Sequence, residues 1–148
     1  MRSSLLRHGP MILLMVAIFI VSSDLGSADN TRPVLASIVR CFLPWLALRM
    51  TPEMIDVTDF IIRKIAHVTE YAVLCLLVSR SVGVKVTASI RERLVPAGIS
   101  SLYALSDEFH QSFVPSRGAA YTDVLWDTLG GFLGGATLSF LHRQRKQR

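Results

Sequence analysis

What most constrains the fold of this chain is the way its apolar residues are parcelled out. They gather in four stretches, at about 11–21, 61–79, 94–106 and 122–141, with short charged clusters between them. Hydrophobic residues make up 51% of the 148 and charged ones only 18%, too apolar a balance for an ordinary soluble domain of this size. In a bilayer every main-chain polar group must be satisfied within the protein, so apolar runs separated by polar clusters read as helices. The expected fold is all-α: a polytopic membrane helix bundle of about four transmembrane helices, forming one domain over residues 1–148.

The stretches are unequal. Met11 to Val21 is shorter than the ~20 residues that span a bilayer comfortably. Its basic start at Arg2 and Arg7, and the small residues Gly26, Ser27 and Ala28 beyond it, also fit a secretory signal cut after Ala28. The reading adopted is an uncleaved first helix, with Ser22 and Ser23 at its outer end. Between the first and second spans, Thr31-Arg32-Pro33 reads as a helix start with Pro33 in the first turn. Val34, Ile38, Cys41, Trp45 and Leu48 then keep near-helical spacing, interrupted by Arg40, Pro44 and Arg49. That pattern predicts an interfacial helix near 33–50, with Trp45 at headgroup depth. Thr51-Pro52 ends it, and the next helix is expected to start near Asp56 to Asp59. Cys41 and Cys75 both lie in apolar stretches and read as small hydrophobes.

Charge sets the expected topology. The N-terminus, the 80–93 linker (Arg80, Lys85, Arg91 and Arg93 against Glu92) and the tail from His142 to Arg148 carry the basic excess. The positive-inside rule puts all three in the cytoplasm, so both termini are expected there, in a cytoplasmic membrane. Residues 24–64 and 107–123 then face outward. The formal charge of +5 does not point to nucleic acid, because the basic residues flank apolar runs and form no stripe interleaved with aromatics.

On this map the ionisable residues converge. His67 and Glu70 fall at the outer end of the second span, Asp107, Glu108 and Gln111 at the outer end of the third, and Asp123 and Asp127 at that of the fourth. Charged groups at membrane depth are costly unless paired or hydrated, so such a gathering marks a site. Lys64, His67, Glu70 and Tyr71 share one helical face. Asp127, Gly131 and Gly135 form a stripe at four-residue intervals, with Gly130 and Gly134 beside it, which predicts that the acid-bearing face packs inward. Asp107 and Glu108 sit at a helix C-terminus, where the dipole disfavours acids, and this too argues for a paired or functional role.

Two segments carry a family resemblance. Lys64, His67, Glu70 and Tyr71 make a KxxHxxEY pattern; Asp107, Glu108, Gln111, Phe113, Pro115 and Arg117, followed by Asp123, make a second. In this order and separation they resemble the VanZ-like family of small bacterial membrane proteins, whose founding member is associated with resistance to the glycopeptide teicoplanin. The resemblance runs from about residue 60 to 135. It implies a cell-envelope role, with glycopeptide resistance-like behaviour. One departure is Asp127, where the family pattern usually carries asparagine; an acid so near Asp123 adds a like charge.

Chemically, His67 can act as acid or base near neutral pH, with Glu70 placed to orient it and Asp107 or Glu108 as a second carboxyl group. Lys64, Tyr71, Gln111, Arg117, Asp123 and Asp127 complete the expected site as binding residues. Arg117 either snorkels at the surface or holds a phosphate or carboxylate in its planar fork. Pro115 and Gly118 shape the loop, and His110 is expected at the surface. His, Glu and Asp side chains converge as metal ligands can, but no Cys or His pair stands at zinc spacing, so no metal is assigned, and the question of a cofactor is left open. Two functional classes stay open: an enzyme acting on an outer-leaflet, lipid-linked envelope molecule, and a non-catalytic protein that binds such a molecule and alters lipoglycopeptide access. Membrane lipids and an envelope or glycopeptide-type ligand are the expected partners; the oligomeric state is left open.

Overall fold

The structure, a computed structural model, describes residues 2–84, 90–117 and 121–146. Lys85, Gly118 and the side chains of the basic tail lie outside the described residues. Six α-helices account for most of the chain: α1 (Arg2–Ser22), α2 (Ala28–Phe42), the single turn α3 (Pro44–Ala47), α4 (Pro52–Val82), α5 (Ile90–Gln111) and α6 (Tyr121–Lys146). Among the described residues there is no strand, as expected for an all-α chain.

Local chemistry explains where the boundaries depart from expectation. The helix expected to begin near Asp56 to Asp59 begins at Pro52. The Thr51 side chain accepts from the Met54 N–H, and Pro52 occupies the first turn, where its missing N–H costs nothing. At the far end Gly83 takes the left-handed region (φ 76°), and the Val84 N–H donates to the Ser79 carbonyl at 2.9 Å, closing a Schellman turn. The 31 residues of α4 reach about 46 Å, more than a ~30 Å hydrocarbon core needs. The interfacial segment is two helices, not one. Pro44 disfavours helical geometry at the residue before it, and Leu43 (φ −134°) breaks the run there. Pro33 lies in the second turn of α2, not the first, because the helix starts at Ala28. The short apolar run 11–21 belongs to a longer helix: α1 covers 21 residues and includes Pro10.

Four long helices make the bundle. The N-terminal half of α1 meets the C-terminal end of α4, where Arg7 Nε donates to the Ser81 carbonyl at 2.8 Å and Arg80 Nη2 to the Leu6 carbonyl at 3.1 Å. The other end of α1 meets the C-terminal end of α5, through Ser22 and Asp107. α4 and α6 therefore run one way, α1 and α5 the other. α1 lies against α4 and α5, while α2 packs on α4. Where α4 meets α6 the backbones come very close: a Cβ added at Gly130 would collide with the Val68 carbonyl, and one at Gly134 with that of Ala72. These two glycines face α4. Gly131 turns towards Ala97 and Ser100 of α5, and a Cβ at Gly135 meets nothing within 4 Å. The side of α6 that meets α4 thus runs from Asp127 through Gly130 and Gly134; of the expected inward stripe, Gly131 is buried against α5, whereas Gly135 is only half-buried.

Burial is inverted relative to a soluble protein. Asp59, Asp107, Glu108, Gln111 and Asp127 are buried, while Leu13, Ile65, Leu102, Leu125 and Phe132 are exposed. A small apolar cluster of Ile18, Tyr71, Leu74, Val78 and Ala104 fills the middle of the bundle. The α1 segment Ser4–Ser22 is long and apolar enough to cross a membrane by length and composition. Val34, Ile38 and Cys41 of α2, Trp45 of α3 and Leu48 just after it are all exposed.

Candidate functional site

The site is built on the seam between α4 and α6. Lys64 and His67 are one turn apart on α4, Asp123 and Asp127 one turn apart on α6, and the parallel run of the helices matches them in register. His67 Nδ1 lies 3.0 Å from Asp127 Oδ1, and Lys64 Nζ pairs with Asp123 Oδ1. The Asp127 side chain is only 1% exposed, so its charge needs the partner it has. The two aspartates, close in sequence, each take a different partner on α4. Glu70 was expected to orient His67, but the carboxylate bonded to the ring is Asp127. Glu70 stands half-buried, within electrostatic range of His67, Asp127, Asp107 and Arg117.

From α5 come Asp107, Glu108 and Gln111. They follow the apolar stretch 94–106, and α5 continues to Gln111 and carries all three in its last turns, at the helix C-terminus where they were expected; they are buried there. Asp107 Oδ2 accepts from Ser22 Oγ at 2.7 Å and from Gln111 Nε2 at 3.0 Å. These donors offset the unfavourable dipole at a helix C-terminus. Asp107 Oδ1 and the Tyr71 hydroxyl are buried without a hydrogen-bond partner among the described residues.

Arg117, in the loop after α5, donates from Nε to the Ser23 carbonyl at 3.1 Å and from Nη2 to the Val21 carbonyl at 2.7 Å. It thereby satisfies carbonyls left open at the end of α1. Gly26 is needed for this approach, since a Cβ there would stand 2.5 Å from Arg117 Nη2. Burial draws the Arg117 guanidinium down from its ordinary range and the nearby charge of Arg63 adds to this, while Asp107, Glu108 and Asp123 act against both.

The expected single pocket is two cavities with a common wall. The larger, about 320 Å³, is lined by Arg63, Lys64, Gln111, Arg117, Asp123 and Trp126 among others. The smaller, about 200 Å³, is lined by Ser22, Arg63, His67, Glu70 and Arg117 among others. Arg63 and Arg117 line both. Asp107, Glu108, Tyr71 and Asp127 line neither.

Three contributors escaped the sequence reading. Ser22 was seen only as the end of an apolar run, yet a hydroxyl there is the natural donor to an acid on a neighbouring helix. Arg63 is held by Asp59 at 3.0 Å, a pair one turn apart that was visible as an i, i+4 spacing. His110, expected at the surface, is half-buried and stacks on Phe19 with ring centroids 4.1 Å apart; its position on α5 turns it towards α1. Among the described residues no group of three or more His, Cys, Asp or Glu side chains could hold a metal ion.

A family model described as VanZ/LLP1 matches residues 10–142, nearly the whole of the four-helix bundle and every residue of the site. The chain belongs to the VanZ/LLP1 family. Comparison with curated proteins and with solved structures finds no match. For this VanZ/LLP1 chain the geometry gives the two motifs physical meaning. The first supplies the α4 half of the paired seam. The second supplies the buried carboxylates of α5, the arginine that binds the end of α1 and the first acid of α6. A His–Asp pair of this kind can accept or release a proton at the free ring nitrogen. Ser22 donates to Asp107 and not to His67, so the bonds present are not those of a Ser–His–Asp relay.

Proposed function

We propose that this protein is a four-span protein of a bacterial cytoplasmic membrane, with both termini in the cytoplasm, which receives the polar head of a cell-envelope molecule at its outer face. The spans are α1, α4, α5 and α6, with α2 and α3 lying at the interface. The outward apolar surface of all four long helices supports this reading, since soluble monomers rarely expose contiguous apolar area of that extent. Lipid on the outside also accounts for the buried charges: α4, α5 and α6 are too polar to pass as simple spans, but their ionisable residues are turned inward or placed near helix ends. Reporter fusions in the 85–89 linker and at Ser116 are expected to report opposite sides of the membrane; the same side for both rejects the four-span arrangement.

The observation that carries the functional reading is the cavity pair walled by Arg63 and Arg117, with His67 and Glu70 on one side and Lys64 and Asp123 on the other. Two guanidiniums offer a phosphate or carboxylate bidentate contacts, and His67, held by Asp127, exchanges a proton with the bound head group. The Ser116 hydroxyl, which lines the larger cavity and is buried without a hydrogen-bond partner among the described residues, is free to bond the head group or a bound water. The test is to incubate purified protein with envelope lipid extracts and follow their composition by mass spectrometry. A product that forms with wild type and not with His67→Ala makes the protein an enzyme. A species that co-purifies unchanged with both makes it a binding protein that modulates the cell surface, including access of lipoglycopeptides. Neither outcome with any extract rejects the site.

A further inference from the structure

We infer that the head-group cavity and an apolar groove beside it form one site for an anionic phospholipid-like amphiphile, its phosphate on Arg63, Lys64 and Arg117 and its hydrocarbon chain between α4 and α6. This rests on the outward-facing reading above and goes further by naming the ligand class and the path of its chain.

The groove, about 360 Å³, runs along the outside of the α4–α6 seam and is lined by Phe60, Ile65, Val68, Thr69, Trp126 and Leu129 among others. It shares Phe60, Lys64 and Trp126 with the 320 Å³ polar cavity, so the two volumes meet at these three side chains. Its wall is almost wholly apolar. The one hydroxyl, Thr69 Oγ1, donates to the Ile65 carbonyl at 2.7 Å, which satisfies it and leaves the threonine to contribute its methyl. Lys64 marks the boundary, its ammonium paired with Asp123 and 5.0 Å from the centroid of the Phe60 ring. On the polar side the lining carries Arg63, Lys64 and Arg117 against Asp123, a positive balance that suits an anion. A soluble anion would use the cavity and leave the groove unused; a neutral lipid would use the groove and place no anion against the Arg63 and Arg117 guanidiniums that line the cavity. A lipid phosphate uses both, and it enters sideways from the bilayer without leaving it.

Trp126 stands at the junction and reads the site directly. The chain has two tryptophans, so Trp45→Phe leaves Trp126 as the sole emitter in the full-length protein. In phosphatidylcholine nanodiscs, phosphatidylglycerol with brominated chains should quench Trp126 at roughly tenfold lower mole fraction than brominated phosphatidylcholine, the effect of about one charge-assisted contact. Arg63→Gln should erase that preference. Thr69→Phe, which fills the groove from an exposed position, should weaken quenching by both lipids. Equal quenching by the two lipids, indifferent to Arg63→Gln, shows a groove filled by bulk lipid and overturns the proposal. Protection of Trp126 that follows dimer formation, and not lipid charge, overturns it in favour of a second copy of the chain. If inorganic phosphate displaces brominated phosphatidylglycerol while Thr69→Phe changes nothing, the amphiphile proposal falls and the head-group cavity stands.

Discussion

At one end of the bundle Arg7 donates to the Ser81 carbonyl and Arg80 donates back to the Leu6 carbonyl, with His8 against the Ser81 hydroxyl. At the other end Ser22 meets Asp107, His67 meets Asp127, Lys64 meets Asp123 and Arg63 meets Asp59. Apart from Arg63–Asp59, which lies within α4, both sets tie helices together; only the contacts at the second end use carboxylates, three of them almost completely buried. The first end shows how little is needed to join α1 to α4: two arginines on main-chain carbonyls, partly in contact with solvent. Holding the helices together therefore does not explain the acids at the second end. Buried ion pairs are weak contributors to stability compared with apolar packing of the same shape, so their presence at one end and not the other speaks for function.

The largest test of this contrast is Asp127→Leu. Removing one partner of a buried pair leaves His67 facing an apolar wall, and the expected loss is about 3–5 kcal/mol in detergent-solubilised unfolding. Adding His67→Leu should return much of that loss while leaving the protein inactive or unable to bind its ligand. If the double substitution is no more stable than Asp127→Leu alone, the pair is holding the fold and the functional argument from it fails.

Next in size is the seam beneath the pair. Gly134→Ala drives a methyl into the Ala72 carbonyl, a main-chain atom that cannot turn away, and should cost about 1–3 kcal/mol. Gly135→Ala, one residue on, meets open space and should be neutral or gain up to about 1 kcal/mol from helix propensity. Equal effects at the two positions would mean that α6 is rotated from the orientation described. A similar cost, about 1.5–3 kcal/mol, is expected for Ser22→Ala, which takes a hydrogen bond from a buried carboxylate.

These substitutions also mark where sequence was readable. The helical class, the four apolar stretches and the gathering of His67, Asp107, Asp123 and Asp127 at one level all follow from periodicity and charge, because the cost of a charge in lipid leaves few places for it. Pairing did not follow. His67 has Glu70 on its own helix and Asp127 on another, and intrahelical spacing favours the first; only the parallel register of α4 and α6, set by Gly130 and Gly134 against Val68 and Ala72, selects the second. Which glycines make the close contact did not follow either: a four-residue spacing and a 4-3-4 spacing differ by a fraction of a turn, and packing against α4 selects Gly130 and Gly134. The start of α4 was misplaced because capping by Thr51 carries the helix back into polar sequence.

The smallest effect is expected at the first end of the bundle, and it is the one that keeps the comparison honest in both directions. Arg80 is exposed, and its bond to the Leu6 carbonyl is exposed as well. Pro10 has no N–H to give the Leu6 carbonyl, so Arg80 serves an acceptor that the helix leaves open. The place is exposed and water can replace the bond, so Arg80→Ala should change stability by no more than about 0.5 kcal/mol. Arg80 also sits among the basic residues assigned to the cytoplasmic side, so its loss lowers the positive bias of that linker without touching the outer site. Unfolding of the detergent-solubilised variant measures the first effect, and the reporter fusion at Ser116 measures the second. A loss as large as that of Ser22→Ala would show that the two ends are held by contacts of equal weight, and the buried acids would then need no explanation beyond joining helices.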